Sequence, residues 1–122
     1  MSKLKVCIVD DSASIRVSLR KMLSILDYIE IAGEADSVNS AMMLLSNNKP
    51  DLTLLDLNLP DGSGYEVLKV IKESKNPHKV IVLTNYSAEN YKKKALKEGA
   101  DHFFDKSTEF EKVIDVIIRL SK

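Results

Sequence analysis

The sequence predicts an α/β fold in which a doubly wound, five-stranded parallel sheet carries helices on both faces. Short apolar segments alternate with amphipathic segments along the whole chain, which is the pattern of repeated βαβ units. The chain has 122 residues, enough for one domain with one hydrophobic core. Residues 1–122 are therefore predicted to form a single domain.

The first half of the chain begins with two strands and two helices. The apolar run Val6–Val9 is the first predicted strand, and apolar residues at helical spacing predict a helix from about Ser14 to Leu26. Residues Ile29–Ala35 alternate in polarity and form the second strand. Ser37 is expected to cap the second helix, which ends before Pro50 because proline cannot continue a helix.

The third and fourth strands enclose a third helix. The apolar run from Asp51 to Asp56 is the third strand, and a helix is predicted from about Ser63 to Glu73. Two sets of residues could form the buried face of that helix: Tyr65, Leu68 and Ile71, or Val67, Val70 and Ile71. The apolar run Val80–Leu83, ending in Thr84, is the fourth strand.

The last two helices differ in their apolar content. Ser87 is expected to cap a helix that runs to Glu98, with Gly99 just past its end. Few of its residues are apolar, which predicts that it is loosely held. His102–Asp105 is the fifth strand, and the segment Thr108–Glu111 has the spacing of a capping box that would start the last, strongly apolar helix.

Charge and composition exclude several classes of function. The 18 basic and 18 acidic side chains cancel, so no net charge attracts nucleic acid or an anionic membrane. Cys7 is the single cysteine, which rules out an intramolecular disulfide and suits a reducing compartment. Asp10 interrupts the first apolar run long before it could form a signal peptide or a membrane span. The sequence thus predicts a cytoplasmic protein.

Four of the predicted strands end in reactive polar residues. Asp10 and Asp11 follow the first strand, Asp56 the third, Thr84 ends the fourth, and Lys106 follows the fifth. In the common five-stranded topology, with the flavodoxin-like strand order 2-1-3-4-5, these ends meet at one edge of the sheet. Three converging carboxylates need a cation, and Mg²⁺ suits oxygen ligands beside a phosphate. Asp56 is then a candidate nucleophile toward phosphorus.

This set of residues resembles the phosphoacceptor site of a response-regulator receiver domain, and the resemblance covers the whole chain. It implies a two-component switch in which Asp56 accepts a phosphoryl group from a sensor histidine kinase or a phosphotransfer protein. Mg²⁺, or Mn²⁺ in its place, would be held by Asp10, Asp11, Asp56 and the backbone carbonyl of Asn58.

The resemblance also implies how a signal would leave the site. Thr84 would turn toward the phosphate, and Phe103 would fill the space that it vacates. Lys106 would bind the phosphate and is expected to be hydrated until the phosphate arrives. A protein partner would dock on the fourth helix, fifth strand and fifth helix, and phosphorylation-dependent dimerisation is a further expectation. The domain would not be an enzyme beyond its own phosphorylation and hydrolysis.

Two positions depart from the family's pattern. Ser107 follows Lys106 where many receivers have proline after a cis peptide bond, so both isomers are open here. Asn85 stands where most receivers have alanine or glycine. Access of water to the phosphate would depend on Asn58 and Tyr86, and we expect shielding by the Tyr86 ring to outweigh water orientation by Asn58.

Other functions of similar folds are less well matched. An aspartate-nucleophile phosphatase would need a second aspartate where Asn58 stands, and a flavodoxin would not place Asp10 and Asp11 against a flavin phosphate. A phosphorylation-independent scaffold is disfavoured by the complete acid set. The chain starts at Met1 and stops after its fifth predicted helix, so no further domain is expected, although the sequence leaves open whether it is part of a longer regulator.

Overall fold

A five-stranded parallel sheet forms the centre of the computed structural model, which describes residues 3–120. The strands are β1 (Leu4–Val9), β2 (Ile29–Ala35), β3 (Leu52–Leu55), β4 (Asn58–Leu59), β5 (Gly62–Ser63), β6 (Lys79–Thr84) and β7 (His102–Asp105). The sheet has the order β2-β1-β3-β6-β7, while β4 and β5 form a separate hairpin. Since β6 and β7 are the fourth and fifth predicted strands, the predicted order 2-1-3-4-5 is confirmed. The hairpin was not predicted.

Five helices cover the sheet on both faces, as predicted. They are α1 (Ala13–Ser24), α2 (Val38–Asn47), α3 (Gly64–Lys72), α4 (Glu89–Lys97) and α5 (Lys112–Leu120). Helices α2, α3 and α4 pack over one apolar cluster, and α1 and α5 over the other. The buried face of α3 is neither predicted set, because it combines Val67, Leu68 and Ile71. Val70 is 49% exposed.

The start of α4 differs from the prediction. Ser37 does cap α2, but Ala88 occupies the cap position of α4 and makes no side-chain hydrogen bond there. The Ser87 hydroxyl instead contributes to lowering the pKa of Asp105, at the end of β7. The predicted Ser87 cap of α4 is therefore wrong.

The start of α5 also differs, because the helix begins at Lys112 and no capping box forms at Thr108. Side-chain bonds to the backbone lie earlier instead: the Asp105 N–H donates to the Glu109 carboxylate (3.0 Å), and the N–H of Ser107 donates to the Asp105 carboxylate (2.8 Å). Asp105 makes these bonds in place of Thr108 because the chain turns directly after β7. Within residues 3–120 every peptide bond is trans, so the bond between Lys106 and Ser107 is trans as well.

Helix α4 is as weakly anchored as its sequence predicts. Its single fully buried side chain is Ala95. Gly99, with φ 107°, ends it in a left-handed conformation that suits glycine. The hydroxyl of Tyr65, on α3, donates to the Tyr91 carbonyl at 3.0 Å.

In the described part of the chain, no helix combines the length and the apolar character needed to cross a membrane.

Candidate functional site

Sheet pairing continues one residue past three strands and fixes the backbone of the site. The Asp10 N–H donates to the carbonyl of the last residue of β2 (3.0 Å), and the Asp56 N–H donates to that of the last residue of β1 (2.9 Å). The Lys106 N–H donates to the carbonyl at the end of β6 (2.9 Å). All three side chains therefore start from the carboxyl edge of the sheet.

The Lys106 ammonium joins the two buried carboxylates of this edge. Its Nζ lies 2.7 Å from Asp10 Oδ2 and 2.8 Å from Asp56 Oδ2, and its side chain is only 8% exposed. The expectation of a hydrated lysine is therefore wrong. The side chain is long enough to cross from the end of β7 to the ends of β3 and β1, where two acceptors replace water.

Negative charge exceeds positive charge at the site. The carboxylates of Asp10, Asp11 and Asp56 offer oxygens that all lie within 4.8 Å of one another, and Lys106 is the ammonium bonded to two of them. Burial raises the pKa of Asp10 and outweighs its bonds from Lys106 and the backbone N–H of Ser12. The pKa of Lys106 is also raised: burial opposes this, but its bonds to the two carboxylates prevail.

This donor set fits a hard divalent cation. Three carboxylates at mutual distances under 4.8 Å supply the oxygen ligands that Mg²⁺ prefers, and Asp11 is exposed to solvent, from which such an ion would arrive. One ammonium cannot neutralise three carboxylates, so the site keeps an unbalanced charge that a cation would cancel.

Arg16 fixes the backbone of Asp10, a role that the sequence did not reveal. Its Nη1 donates to the Asp10 carbonyl at 2.6 Å, and its Nε lies 3.4 Å from the carboxylate of Glu34 on β2. Arg20 holds the same carboxylate at 2.7 Å. With Oδ1 accepting from the N–H of Ser12 at 2.9 Å, every polar group of Asp10 has a partner. The spacing of residues in the sequence does not predict which backbone carbonyl an arginine side chain contacts.

The loop after Asp56 is packed against the carboxylate that it follows. The Asn58 N–H donates to Asp56 Oδ1 at 3.2 Å, and the β4–β5 hairpin then returns the chain to α3. A methyl group on Gly64 would collide with the Asp56 carbonyl and lie 2.8 Å from the Cα of Leu57. Only glycine fits there, and the signal available in the sequence was a poor helix former at the first position of α3.

The remaining predicted residues surround this centre. The hydroxyl of buried Thr84 accepts from the Tyr86 N–H at 3.1 Å. Phe103 is buried in the apolar cluster beneath α4. The Tyr86 ring is 42% exposed and lies with its centroid 5.2 Å from that of Tyr91 on α4. The structure thus brings Asp10, Asp11, Asp56 and Lys106 together and links Thr84 to α4 through Tyr86.

Comparison with known proteins agrees with this geometry. The family model described as "Response regulator receiver domain" matches residues 6–118. The chain belongs to this family. Receiver domains are the signalling domains of two-component systems, so the chain contains a signalling-switch domain of this kind.

A curated relative has a similar sequence along almost the whole chain. This chain is 34% identical over 119 residues to the sensory transduction protein LytT of Bacillus anthracis, covering 98% of this chain and 48% of LytT. The chain thus spans about half the length of this curated relative.

Two solved structures share the fold. The receiver domain of the response regulator NarL from Mycobacterium tuberculosis has a TM-score of 0.89 at 24% identity, covering 99% of this chain and 98% of that one. A CheY-like receiver domain from Methanospirillum hungatei JF-1 has a TM-score of 0.85 at 26% identity, covering 97% and 93%.

Proposed function

We propose that this receiver domain is a switch activated by phosphorylation of Asp56, with residues 1–122 forming one functional unit. The observation that carries the proposal is the bridge from the Lys106 ammonium to Asp10 and Asp56, beside a third carboxylate within 4.8 Å. A buried nucleophile with an ammonium beside it and an excess of acidic ligands is suited to phosphoryl transfer, which depends on positioning and charge neutralisation.

In the proposed reaction, a carboxylate oxygen of Asp56 forms a bond to the phosphorus of a phosphohistidine. The phosphorus–nitrogen bond breaks, and its electron pair stays on the donor imidazole. Asn58 and Lys106 hold the two Asp56 oxygens at 3.2 and 2.8 Å, which orients the carboxylate before attack. Mg²⁺ or Mn²⁺, held by Asp10, Asp11, Asp56 and the Asn58 carbonyl, would neutralise phosphate charge.

The signal is proposed to travel from Thr84 to α4. Thr84 would turn toward the phosphate, which would break its 3.1 Å bond from the Tyr86 N–H. Phe103 would repack as Thr84 moves, and the weakly anchored α4 would shift most easily. The face formed by α4, β7 and α5 would then bind a protein partner or a second copy of the domain.

Tyr86 is proposed to lengthen the lifetime of the phosphorylated state. Its exposed ring stands two residues beyond Thr84, where it can exclude the water that would attack phosphorus, while Asn58 can orient one. We expect Tyr86→Ala to speed hydrolysis by at least about five-fold, which corresponds to roughly 1 kcal/mol of barrier. A hydrolysis rate that stays unchanged or falls would assign Tyr86 to the partner surface.

The proposed partners follow from the same role. A sensor histidine kinase or a phosphotransfer protein would supply the phosphoryl group, and the response would be binding of a protein rather than of nucleic acid or a membrane by this domain. A cytoplasmic location is part of the proposal, because the donor would be phosphorylated in that compartment.

The decisive experiment is labelling with radioactive acetyl phosphate. Wild type should incorporate about one phosphoryl group with Mg²⁺ or Mn²⁺ and none in excess chelator. Asp56→Asn should take up no label, while Asp36→Asn, an exposed acid that forms no ion pair with Lys106, should behave as wild type. Labelling of Asp56→Asn would refute the assignment, and repeated turnover of a phosphate ester by wild type would favour a phosphatase.

A further inference from the structure

The opposite, amino edge of the sheet holds a cleft that the proposed function does not use. Its volume is about 1050 Å³, and it lies between the carboxyl ends of α2 and α3, above the segments that lead into β3 and β6. Because the strands are parallel, this cleft and Lys106 are at opposite ends of the sheet. A ligand here would not compete with a phosphoryl donor.

Four apolar side chains, which we call the floor, line part of the cleft. Met42 and Leu45 contribute from α2, and Val70 and Ile71 from α3. Val70 lines this groove and is 49% exposed, so an apolar side chain from another molecule would cover it. Burying such a surface is the main source of affinity in protein recognition.

The rim of the cleft is strongly basic, although the protein as a whole is neutral. Four lysines and one acid line it: Lys49, Lys72, Lys75, Lys79 and Asp51. Lys72 and Lys79 lie 2.8 and 3.7 Å from Asp101, which partly neutralises them. Lys49 and Lys75 are exposed, and among residues 3–120 no carboxylate forms an ion pair with either. Two free ammonium groups therefore flank an apolar floor.

We propose that this cleft binds an acidic segment of a partner protein, with an apolar side chain of the segment resting on Val70 and its carboxylates facing Lys49 and Lys75. Complementary charge would guide and orient the segment, and the apolar contact would hold it. A small anion is a poorer fit, because the most buried ammonium, that of Lys72, is already bonded to Asp101 and to the His78 carbonyl at 2.8 Å. A flat membrane would reach the rim but not the floor.

The test is a titration of the isotopically labelled domain, followed by amide resonances, with a synthetic peptide of sequence Asp-Glu-Leu-Leu-Glu-Asp-Leu-Glu. We expect saturable shifts at cleft residues, a dissociation constant below about 1 mM, and weaker binding at high salt. The same peptide with glycine in place of leucine, and inorganic phosphate alone, should produce much smaller shifts. Equal shifts with phosphate would identify a plain anion site and overturn the proposal.

Paired variants separate the two parts of the site. Lys49→Glu combined with Lys75→Glu should weaken peptide binding about ten-fold or more, while Lys92→Glu with Lys93→Glu, the same charge change on α4, should alter it less than about two-fold. Val70→Ser should weaken binding, and Ile25→Ser, an exposed apolar control on another surface, should not. Equal loss in test and control pairs, or shifts centred on α4, would refute the cleft as the site.

Binding should persist in Asp56→Asn. The proposal does not depend on phosphorylation, so failure of the phosphoacceptor assignment and failure of the cleft are separate outcomes. Loss of peptide binding in a folded Asp56→Asn domain would contradict an independent site at the amino edge.

Discussion

The two edges of the sheet each hold a lysine bonded to a carboxylate, but in different electrostatic surroundings. At the carboxyl edge Lys106, 8% exposed, is bonded to the carboxylates of Asp10 and Asp56. At the amino edge Lys72, 19% exposed, is bonded to the single carboxylate of Asp101 and to a backbone carbonyl. One ammonium is therefore bonded to two acids at the first edge, whereas at the second edge one acid is shared by Lys72 and Lys79.

The pKa values of Asp10 and Asp101 are shifted in opposite directions. Burial raises the pKa of Asp10 despite its bonds from Lys106. Burial also acts on Asp101, but the bonds from Lys72 and from the Val80 N–H prevail and lower its pKa. At the amino edge Asp101 is thus paired with two lysines, which stabilises the fold, whereas the carboxyl edge retains negative charge at the expense of stability. Such a surplus is expected where a protein binds a cation or transfers charge.

We expect the largest change in the free energy of unfolding when a lysine is removed. The change should be larger at the carboxyl edge than at the amino edge. In chelator, Lys106→Met should lower the free energy of unfolding by about 3 kcal/mol, because it leaves two buried carboxylates without a counter-charge. Urea unfolding near neutral pH measures it.

The matched control is Lys72→Met, which should cost about 1–2 kcal/mol because Asp101 keeps partial hydration, Lys79 and the Val80 N–H. Equal losses in the two variants would show that the charge surplus at the carboxyl edge has no energetic consequence.

Removing an acid should change stability in opposite directions at the two edges. In chelator at neutral pH, Asp10→Asn should raise the free energy of unfolding by about 1 kcal/mol, since Lys106 then faces one buried carboxylate. Asp101→Asn should lower it by about 1–2 kcal/mol, since Lys72 and Lys79 lose their acceptor charge. A destabilising Asp10→Asn would contradict the comparison.

The pH dependence of these two variants follows from the pKa directions. The folded-state pKa of Asp101 is below its ordinary value of 3.8, so its contribution is present above that pH and is lost as pH falls through the lowered pKa. The folded-state pKa of Asp10 is raised, so its penalty is present at neutral pH and disappears as pH falls through the raised pKa. The gain from Asp10→Asn should therefore shrink on acidification.

A smaller effect is expected from His78 at the amino edge. Its Nε2 lies 2.7 Å from the buried Thr53 hydroxyl, and burial, together with Lys72, lowers its pKa below 6.5, with Asp51 and Asp101 opposing. Because the unfolded chain binds the proton more tightly, stability should fall by less than about 1 kcal/mol as pH drops from 7 toward 5.5. His78→Gln should flatten this slope and His102→Gln should retain it. An unchanged slope in His78→Gln would remove the histidine from the account.

Periodicity and strand ends were sufficient to predict the sheet and the acidic cluster. Alternating apolar segments identify strands, and parallel strands must present Asp10, Asp11 and Asp56 at one edge whatever their side chains do. The fold and strand order are confirmed on this basis. The functional roles of these residues stay predictions that the labelling experiment tests.

Details that depend on side-chain reach could not be read from spacing. The motif at Thr108 fits a capping box, but Asp105, placed nearer the turn by β7, makes the bonds instead. The Lys106 side chain was predicted to be hydrated, because the sequence does not reveal how far it extends across the edge of the sheet. The contact of Arg16 with the Asp10 carbonyl likewise depends on how α1 packs.

The measurement that tests the central claim most directly is the stabilisation of the domain by Mg²⁺. A cation that binds only the folded state raises the free energy of unfolding by about 2.7 kcal/mol at 100 times its dissociation constant. Unfolding of wild type, Asp101→Asn and Asp56→Asn should be followed at increasing Mg²⁺. We predict the same Mg²⁺-dependent gain in wild type and Asp101→Asn, and a much smaller gain in Asp56→Asn. Equal gains in all three proteins, or no gain in wild type, would contradict the claim that the surplus negative charge at the carboxyl edge binds a cation.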